Sequence, residues 1–462
     1  MAKRSAFLII IILCCFISHS NAQSPFYNHN GSGRHANPQL NDTIIKKRFG
    51  RSTLLFGGAE LLPWLFDRYI TKADYVDISV KTIGNNLNPQ HWTWDNDNFT
   101  TNQFAHPAHG SVFFNAYRSN GYTFWQSVPA AMAGSFLWET VAEKQTFSPN
   151  DFINTSFGGS VLGEMTHRLS NVIINNHSRG FKRQASEVLA LVINPANGLN
   201  RLLDGKWGKI EPNSTERDSS KIYAEFDLGM RKYSINYGKG YFGWYGHVKL
   251  LYGTPYENYK TPFSYIYVNT VFGKDDSTRL NNVNIAGSLN GWDISSGGSS
   301  QHLVLLTANY DYINNQAFSY SAESVKFNLI SEFQLSKQIK INTSAGIGPI
   351  ILAAVPDVFM YDGRPYDYCT GGGLNGSAEL SVADRFFCGV TYRGGIYKTI
   401  SGNTSHYFLN TISGEAKFMV VNGFSICAEP GYFSLQGDYK VKNITKTYPY
   451  LRVSVQYSLN IQ

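Results

Sequence analysis

From residue 219 onward, apolar and polar side chains alternate with a period of two. In 221–231 the apolar set is Ile222, Ala224, Phe226, Leu228 and Met230. The opposite set is Tyr223, Glu225, Asp227, Gly229 and Arg231. Near the end of the chain, Leu451, Val453, Val455, Tyr457, Leu459 and Ile461 alternate with Arg452, Ser454, Gln456, Ser458, Asn460 and Gln462. Successive side chains of a strand point to opposite faces, so this pattern predicts strands with one apolar and one polar face. The same period returns at 242–250, 283–289, 302–310, 325–335, 339–347, 386–396 and 424–432, with turn signals at 275–277 and 281–282. At roughly 20 residues per strand and connection, the region holds about 12 strands.

A membrane barrel and a soluble sandwich both alternate, with opposite faces wet, so the period alone leaves them open. Strand length separates them. Many of these runs reach about 10 residues, the length a tilted membrane-crossing strand needs, whereas ordinary strands run to about 5–6. Tyr and Trp recur near the strand ends, where interfacial aromatics sit. A closed antiparallel barrel is therefore expected over 219–462, with a soluble β-sandwich as a weaker alternative. One departure is the chain end, Asn460-Ile461-Gln462, where Tyr457 is the nearest aromatic.

Residues 51–210 carry a different period. Ile153, Phe157, Val161, Met165 and Leu169 follow helical spacing after Ser148-Pro149-Asn150-Asp151, a helix start with a Ser cap and Pro at the first position. A second stripe, Ser156, Ser160, Gly163, His167 and Ser170, is mostly small and admits a close neighbouring backbone. Residues 181–193 predict another helix, ended by Asn194-Pro195. An earlier helix is expected over 54–69, interrupted near Pro63. Residues 122–142 are apolar, with no charge between Arg118 and Glu139. Small and polar residues dilute them, so a helix buried in protein is expected rather than a membrane span.

The chain begins with Lys3 and Arg4, an apolar run over 6–17 and the small-x-small site Ser20-Asn21-Ala22. This is the pattern of a cleaved secretory signal over 1–22. A polar, mobile leader is expected over 23–50 and a linker at Glu211-Pro212-Asn213-Ser214. Composition agrees with a β-rich exported protein. Aromatics reach 15% against 16% charged residues, which excludes a disordered chain. Net charge is +7, and +5 without Lys3 and Arg4; with dispersed basic residues, nucleic acid is not an expected partner. Cys369, Cys388 and Cys427 are too few for a disulfide framework and lack metal-site spacing. They are expected to be buried or lipid-facing.

Candidate chemistry concentrates in the helical half. His106 and His109 share a short spacing that a metal could use, with Glu139, Glu143, Glu164 or His167 to complete the set. Pro107 argues against a helical pair, and buried hydrogen bonding is the simpler role. Glu139 and Glu143 are four apart, so a buried pair could perform acid–base work. Glu164 and Arg168 read as an ion pair. A Ser127, His106 and Asp151 triad can be drawn, but nothing presents the serine on a nucleophile elbow. Gly371-Gly372-Gly373 is expected at a strand start, without the helix a phosphate loop requires. No cofactor is expected.

The run from Trp92 to Gly110, with Asn115 to Gly121, Trp138-Glu139, Ser148 to Asp151, Gly158-Gly159 and Gly163-Glu164, resembles an uncharacterised bacterial domain-of-unknown-function family over about residues 55–205. Members are exported proteins with a helical domain ahead of an outer-membrane barrel. The resemblance implies localisation and architecture and supplies no catalytic residue.

The resulting expectation is an α+β chain: a helical domain over 51–210 and an antiparallel transmembrane barrel over 219–462, located in the outer membrane. The role is structural or transport-type, with the helices filling or bracing the barrel. If they fill it, their polar residues meet inward Glu225, Asp227, Arg231 and Arg452. The alternative is an outer-membrane enzyme on lipid or glycan, using Glu139, Glu143, Asp151, Glu164 and His106. Expected partners are outer-membrane lipid, the barrel-assembly machinery and an unspecified small-molecule or lipid substrate.

Overall fold

The computed structural model describes residues 46–174, 176–210, 221–275, 278–295 and 300–461. The expected signal segment, nearly all of the leader, the linker at 211–214 and residues 276–277 of the expected turn lie outside the described residues.

The helical part comprises α1 (Phe49–Phe66), α2 (Val80–Asn86), α3 (His106–Arg118), α4 (Phe124–Leu137), α5 (Pro149–Ile153), α6 (Gly159–Ile173), α7 (Gly180–Ile193) and α8 (Pro195–Leu203). Four wide, π-type turns extend these helices, at Asp67–Thr71, Thr101–Ala105, Trp138–Ala142 and Asn154–Gly158. The last joins α5 to α6 in one winding run. Ser148 does not cap it. Its amide donates to Glu139 Oε2 (3.1 Å) and its hydroxyl to the Thr146 carbonyl (3.4 Å), so no side-chain cap bond remains.

The small residues expected to admit another backbone do so. α3 and α6 run side by side with Gly110 against Gly159. A Cβ on Gly110 would lie 1.9 Å from the Thr155 carbonyl oxygen, and one on Gly163 would lie 2.6 Å from the Phe114 ring. Glycine at these sites is a requirement of close approach rather than of backbone angle.

Twelve strands follow: β1 (Ile222–Tyr233), β2 (Tyr241–Tyr252), β3 (Ile266–Asp275), β4 (Thr278–Asp293), β5 (Ser300–Asn314), β6 (Ser319–Gln334), β7 (Ile339–Tyr361), β8 (Arg364–Val382), β9 (Phe386–Ser401), β10 (Ser405–Val421), β11 (Phe424–Tyr439) and β12 (Asn443–Ile461). Each pairs antiparallel with its neighbours, and β1 pairs with β12 from Ile222↔Ile461 to Tyr233↔Tyr450, closing the sheet. Closure excludes the sandwich alternative. Asn281 and Asn282, expected in a turn, lie within β4, and Gly371 to Gly373 lie inside β8 rather than at its start. Ladder pairing on both sides overrides the turn preference of Asn282 and the three glycines, while Asn281 is the extra residue of a bulge against β3.

Register carries the face assignment around the barrel. Leu228, Val455, Ile426 and Ile396 share one face and are 54–69% exposed. The opposite face buries Glu225, Asp227, Arg231, Lys417 and Arg452. Its contacts join strands that are not neighbours, such as Tyr320 on β6 to Tyr397 on β9 (2.7 Å) and Lys417 on β10 to Glu225 on β1 (2.5 Å). Such links pass only through the lumen, so the polar face is inside and the apolar face outside.

The helices lie on the outer face. Phe99, Phe114, Phe124, Val161 and Met165 pack with Tyr252, Ile266, Ile285, Tyr310, Tyr312, Tyr366 and Tyr368 in one core. Register places these strand residues on the same side as Leu228. Of filling and bracing, the contacts are those of bracing. Glu225, Asp227, Arg231 and Arg452 do not meet the helices; they are paired within the lumen. Helix 122–142 is also corrected. It is shorter, and Trp125, Met132, Phe136 and Leu137 are exposed while Ser127, Ala131, Gly134 and Ser135 are buried.

Replacing Gly110 by Val forces α3 off α6. Trypsin should then cut the helical domain readily in folded protein, while the barrel keeps its heat-dependent gel mobility. An unchanged tryptic pattern would show that the backbone contact is dispensable.

Candidate functional site

Two groupings of polar side chains stand out, one in the helical domain and one in the lumen. In the first, the turn after α4, the start of α5 and the loop before α3 converge. Asp151 is buried, and its Oδ1 accepts from Asn150 Nδ2 (2.8 Å). Asn150 also donates to Tyr368 of the barrel wall (2.8 Å). His106 Nε2 stands 3.4 Å from Asp151 Oδ1, and its Nδ1 is 3.3 Å from Thr155 Oγ1. Glu139 accepts the Ser148 amide, and Glu143 accepts from the Trp138 indole.

Burial dominates the chemistry of this cluster. It pushes Glu139 and Asp151 well above the ordinary carboxylate range, reinforced by neighbouring acids (Asp151 and Glu143 on Glu139; Asp95 and Glu143 on Asp151). Burial raises Glu143 to about 7 against the opposing Trp138 hydrogen bond, and lowers His106 to about 4, with His109 adding to that fall. Burial disfavours the charged form of both groups, so the His106–Asp151 contact is not read as a salt bridge from its distance alone.

The other sequence candidates lie apart. His109 Nε2 is bonded to the Ala59 carbonyl (3.1 Å), with its ring against Phe113 and Trp138. It does not join His106 in a ligand set, and no cluster of three or more potential metal ligands occurs among the described residues. Ser127 donates to the Thr123 carbonyl (2.9 Å), within its own helix. Glu164 is fully buried between Arg118 (2.6 Å) and Arg168 (2.8 Å). Burial would raise its carboxyl, but the two guanidinium groups more than offset this and hold it near 2. Arg168 also donates to the Tyr252 hydroxyl (3.1 Å) and the Pro262 carbonyl (2.8 Å), anchoring α6 to one rim of the barrel. At the other rim, Arg364 donates to the Asp95 carbonyl (3.0 Å) and Asn102 to the Tyr366 and Tyr368 hydroxyls (2.9 and 3.0 Å).

Of the second grouping the sequence had marked Glu225, Asp227, Arg231 and Arg452 as inward, but neither its tyrosines nor its cavity. Near the rim formed by the β7–β8 and β9–β10 hairpins, inward tyrosines bridge the lumen. Tyr233, Tyr320, Tyr397, Tyr407, Tyr448 and Tyr450 belong to one buried cluster. Tyr407 donates to Asp367 (2.8 Å), and Tyr233 stacks on Tyr448. Beyond this layer a cavity of about 450 Å³ extends to the opposite rim, at the loop after β2. Asn269, Asn284, Asn328, Asn375, Lys326 and Arg393 line it, among others. Charges inside are largely matched: Glu225 with Lys417 and Lys249 (3.4 Å), Asp227 with His247 (2.8 Å), Glu429 with Arg452 (2.9 Å). The inward set of each alternating strand was the available signal; what each residue meets across the lumen was not. Cys369 and Cys427 are buried and Cys388 is exposed, all three as free thiols.

The arrangement defines a closed antiparallel barrel with a polar, tyrosine-bridged lumen and a helical domain docked on its outer wall. Residues 91–196 match the family described as "Domain of unknown function (DUF3943)", within the stretch whose motifs carry the resemblance seen in the sequence. No curated protein matches the sequence. Solved structures similar to this chain include the NanC porin, 9% identical over 49% of this chain and 98% of that one, with a TM-score of 0.28. The KdgM porin is 10% identical over 51% and 99%, at 0.25, and the outer membrane channel DcaP of Acinetobacter baumannii is 8% identical over 52% and 96%, at 0.24. Superpositions this loose carry no argument; the barrel stands on its own strand register.

Glu164→Gln should strand two largely buried guanidinium groups and cost about 3–5 kcal/mol. Glu139→Gln should cost about 1 kcal/mol or less, because burial already disfavours the charged acid and the bond from Ser148 survives. Urea titration followed by near-UV circular dichroism separates them. With its pKa depressed, Glu164 contributes stability fully above about pH 4.5, and that stability is lost as pH falls through about 2. The raised Glu139 and Asp151 act in the opposite sense, weakening the fold as pH rises through their raised range. Acid sensitivity near pH 2 that persists unchanged in Glu164→Gln would refute the assignment.

Proposed function

We propose that this chain is an outer-membrane β-barrel whose lumen is a solute-accepting cup, open at one rim and shut by tyrosines near the other. The observation that carries this reading is the pairing of two opposite faces on one closed sheet: an exposed apolar outer wall and a polar lumen holding a cavity of about 450 Å³. A sheet surrounded by hydrocarbon has no water to satisfy an open edge, so closure and an apolar exterior belong together. The described strands run from 10 to 23 residues, enough to cross a bilayer when tilted. The role is structural or transport-type, with transport requiring the tyrosine layer to move. Outer-membrane lipid is the surrounding partner, and the barrel-assembly machinery would insert it.

The enzyme alternative draws less support. Its candidate acids sit in the interior of the helical domain, and none of them lines the luminal cavity. Their burial and mutual packing suit a dry polar core better than a substrate site.

Protein reconstituted in planar bilayers should show little conductance in its ground state. The paired change Tyr397→Ala and Tyr407→Ala should raise it several-fold by opening the bridged section. A large ohmic conductance that these substitutions leave unchanged would refute the closed cup, and recovery of the chain as a soluble periplasmic protein would refute the barrel's membrane placement.

A further inference from the structure

The helical domain occupies part of the barrel's outer wall, yet its own outward surface is not that of a water-facing domain. On α4, Trp125, Pro129, Met132, Phe136 and Leu137 form one exposed face, continued by Val141, with Gln126 as the polar exception. The buried residues of the same helix are Phe124 at its start and then Ser127, Ala130, Ala131, Gly134 and Ser135. On α1, Leu54, Leu61, Leu62 and Phe66 are exposed, while Ser52 and Ala59 are the buried residues. Small and hydroxyl side chains inside with large apolar ones outside is the reverse of a soluble amphipathic helix. It is the pattern of helices that pack by close approach within an apolar solvent.

Charge placement sets the limits of this face. Lys46, Lys47, Arg48 and Arg51 precede it on α1, and Asp67 and Arg68 follow it, with half-buried Glu60 between. On α4 no charge lies between Arg118 and Glu139. From 52 to 66 the chain rises about 22 Å as a helix, close to the height of about 25 Å typical of the apolar band on a membrane barrel. The domain is tied to both rims, through Arg168 at Tyr252 and through Arg364 at Asp95, so its anchor points span the height of the barrel wall. No described helix is long and apolar enough to cross a membrane alone.

We propose that the outer face of α1 and α4 contacts lipid acyl chains and continues the apolar surface of the barrel, so the helical domain is held within the bilayer against the barrel wall. This rests on the membrane reading of the barrel.

The test is nitroxide accessibility in phosphatidylcholine vesicles, with the other cysteines replaced by serine. Labels go on Leu61→Cys and Met132→Cys, on Leu228→Cys as the barrel-wall reference, and on Lys81→Cys as a polar reference on α2. Heat-dependent mobility confirms that each variant is folded. Positions 61 and 132 should favour oxygen over a water-soluble nickel chelate as position 228 does, by several-fold relative to position 81. Chelate access at 61 and 132 equal to that at 81, with 228 still protected, would overturn the proposal alone. Loss of protection at 228 would overturn the membrane reading as well. Dipolar broadening between labels at 132 would assign the face to a second copy of the chain and also overturn the proposal.

Discussion

Closure of the strand ladder is the constraint on which the rest depends. Once β1 pairs with β12, every strand has two partners and each side chain must face either in or out. A slip of one residue in any pair would exchange the two sets. Leu228 and Val455 on one side, and Asp227 and Gln456 on the other, are thus assigned by the same ladder. The ion pairs of the lumen are possible only because closure brings β10 to face β1 and β9 to face β5 across the interior.

The helical domain shows the same logic with a different solution. It buries Glu164 between two arginines, and Asn102 and Asn150 against wall tyrosines, so its polar groups are largely satisfied inside. Part of its bulky apolar set, including Phe114 and Phe124, packs against the wall, and the rest is left outside on α1 and α4. Tyr252, Tyr310, Tyr366 and Tyr368 have a double role: their rings are part of an outward wall, and their hydroxyls meet groups of the helices. A wall of aliphatic residues would meet lipid equally well but would give the helices no hydrogen-bonding partners. The tyrosines on this sector therefore distinguish it from the aliphatic sector around Val453, Val455 and Ile426.

The acids selected from the sequence divide according to partner. Glu164 has two cations and stays charged. Glu139 and Asp151 have mainly other acids nearby, which together with burial raises both carboxyls and suits a packed core. The Arg168 partner of Glu164 was indicated by spacing; its second cation, Arg118, lies 46 residues earlier and is supplied only by the fold.

Much of the barrel was legible because period two is a local property of the chain. Nine strand cores, the approximate strand number and the division of each strand into an apolar and a polar set followed from alternation; strand length is what put the polar set inside. Three strands, β3, β8 and β10, were not named: glycine, asparagine and serine within β8 and β10 weaken the pattern, and β3 is the shortest strand. The helix start at 148–149 and the ion pair of Glu164 with Arg168 were also local, set by Pro149 at the first helical position and by four-residue spacing. The docking of the helices on the outer wall was not local. Small residues on one helix face promise a close neighbour without saying which one, and an alternating strand promises two environments without saying what fills either. Those choices are long-range, fixed only when a tyrosine on β8 meets an asparagine 266 residues earlier and when tyrosines from distant strands converge in the lumen.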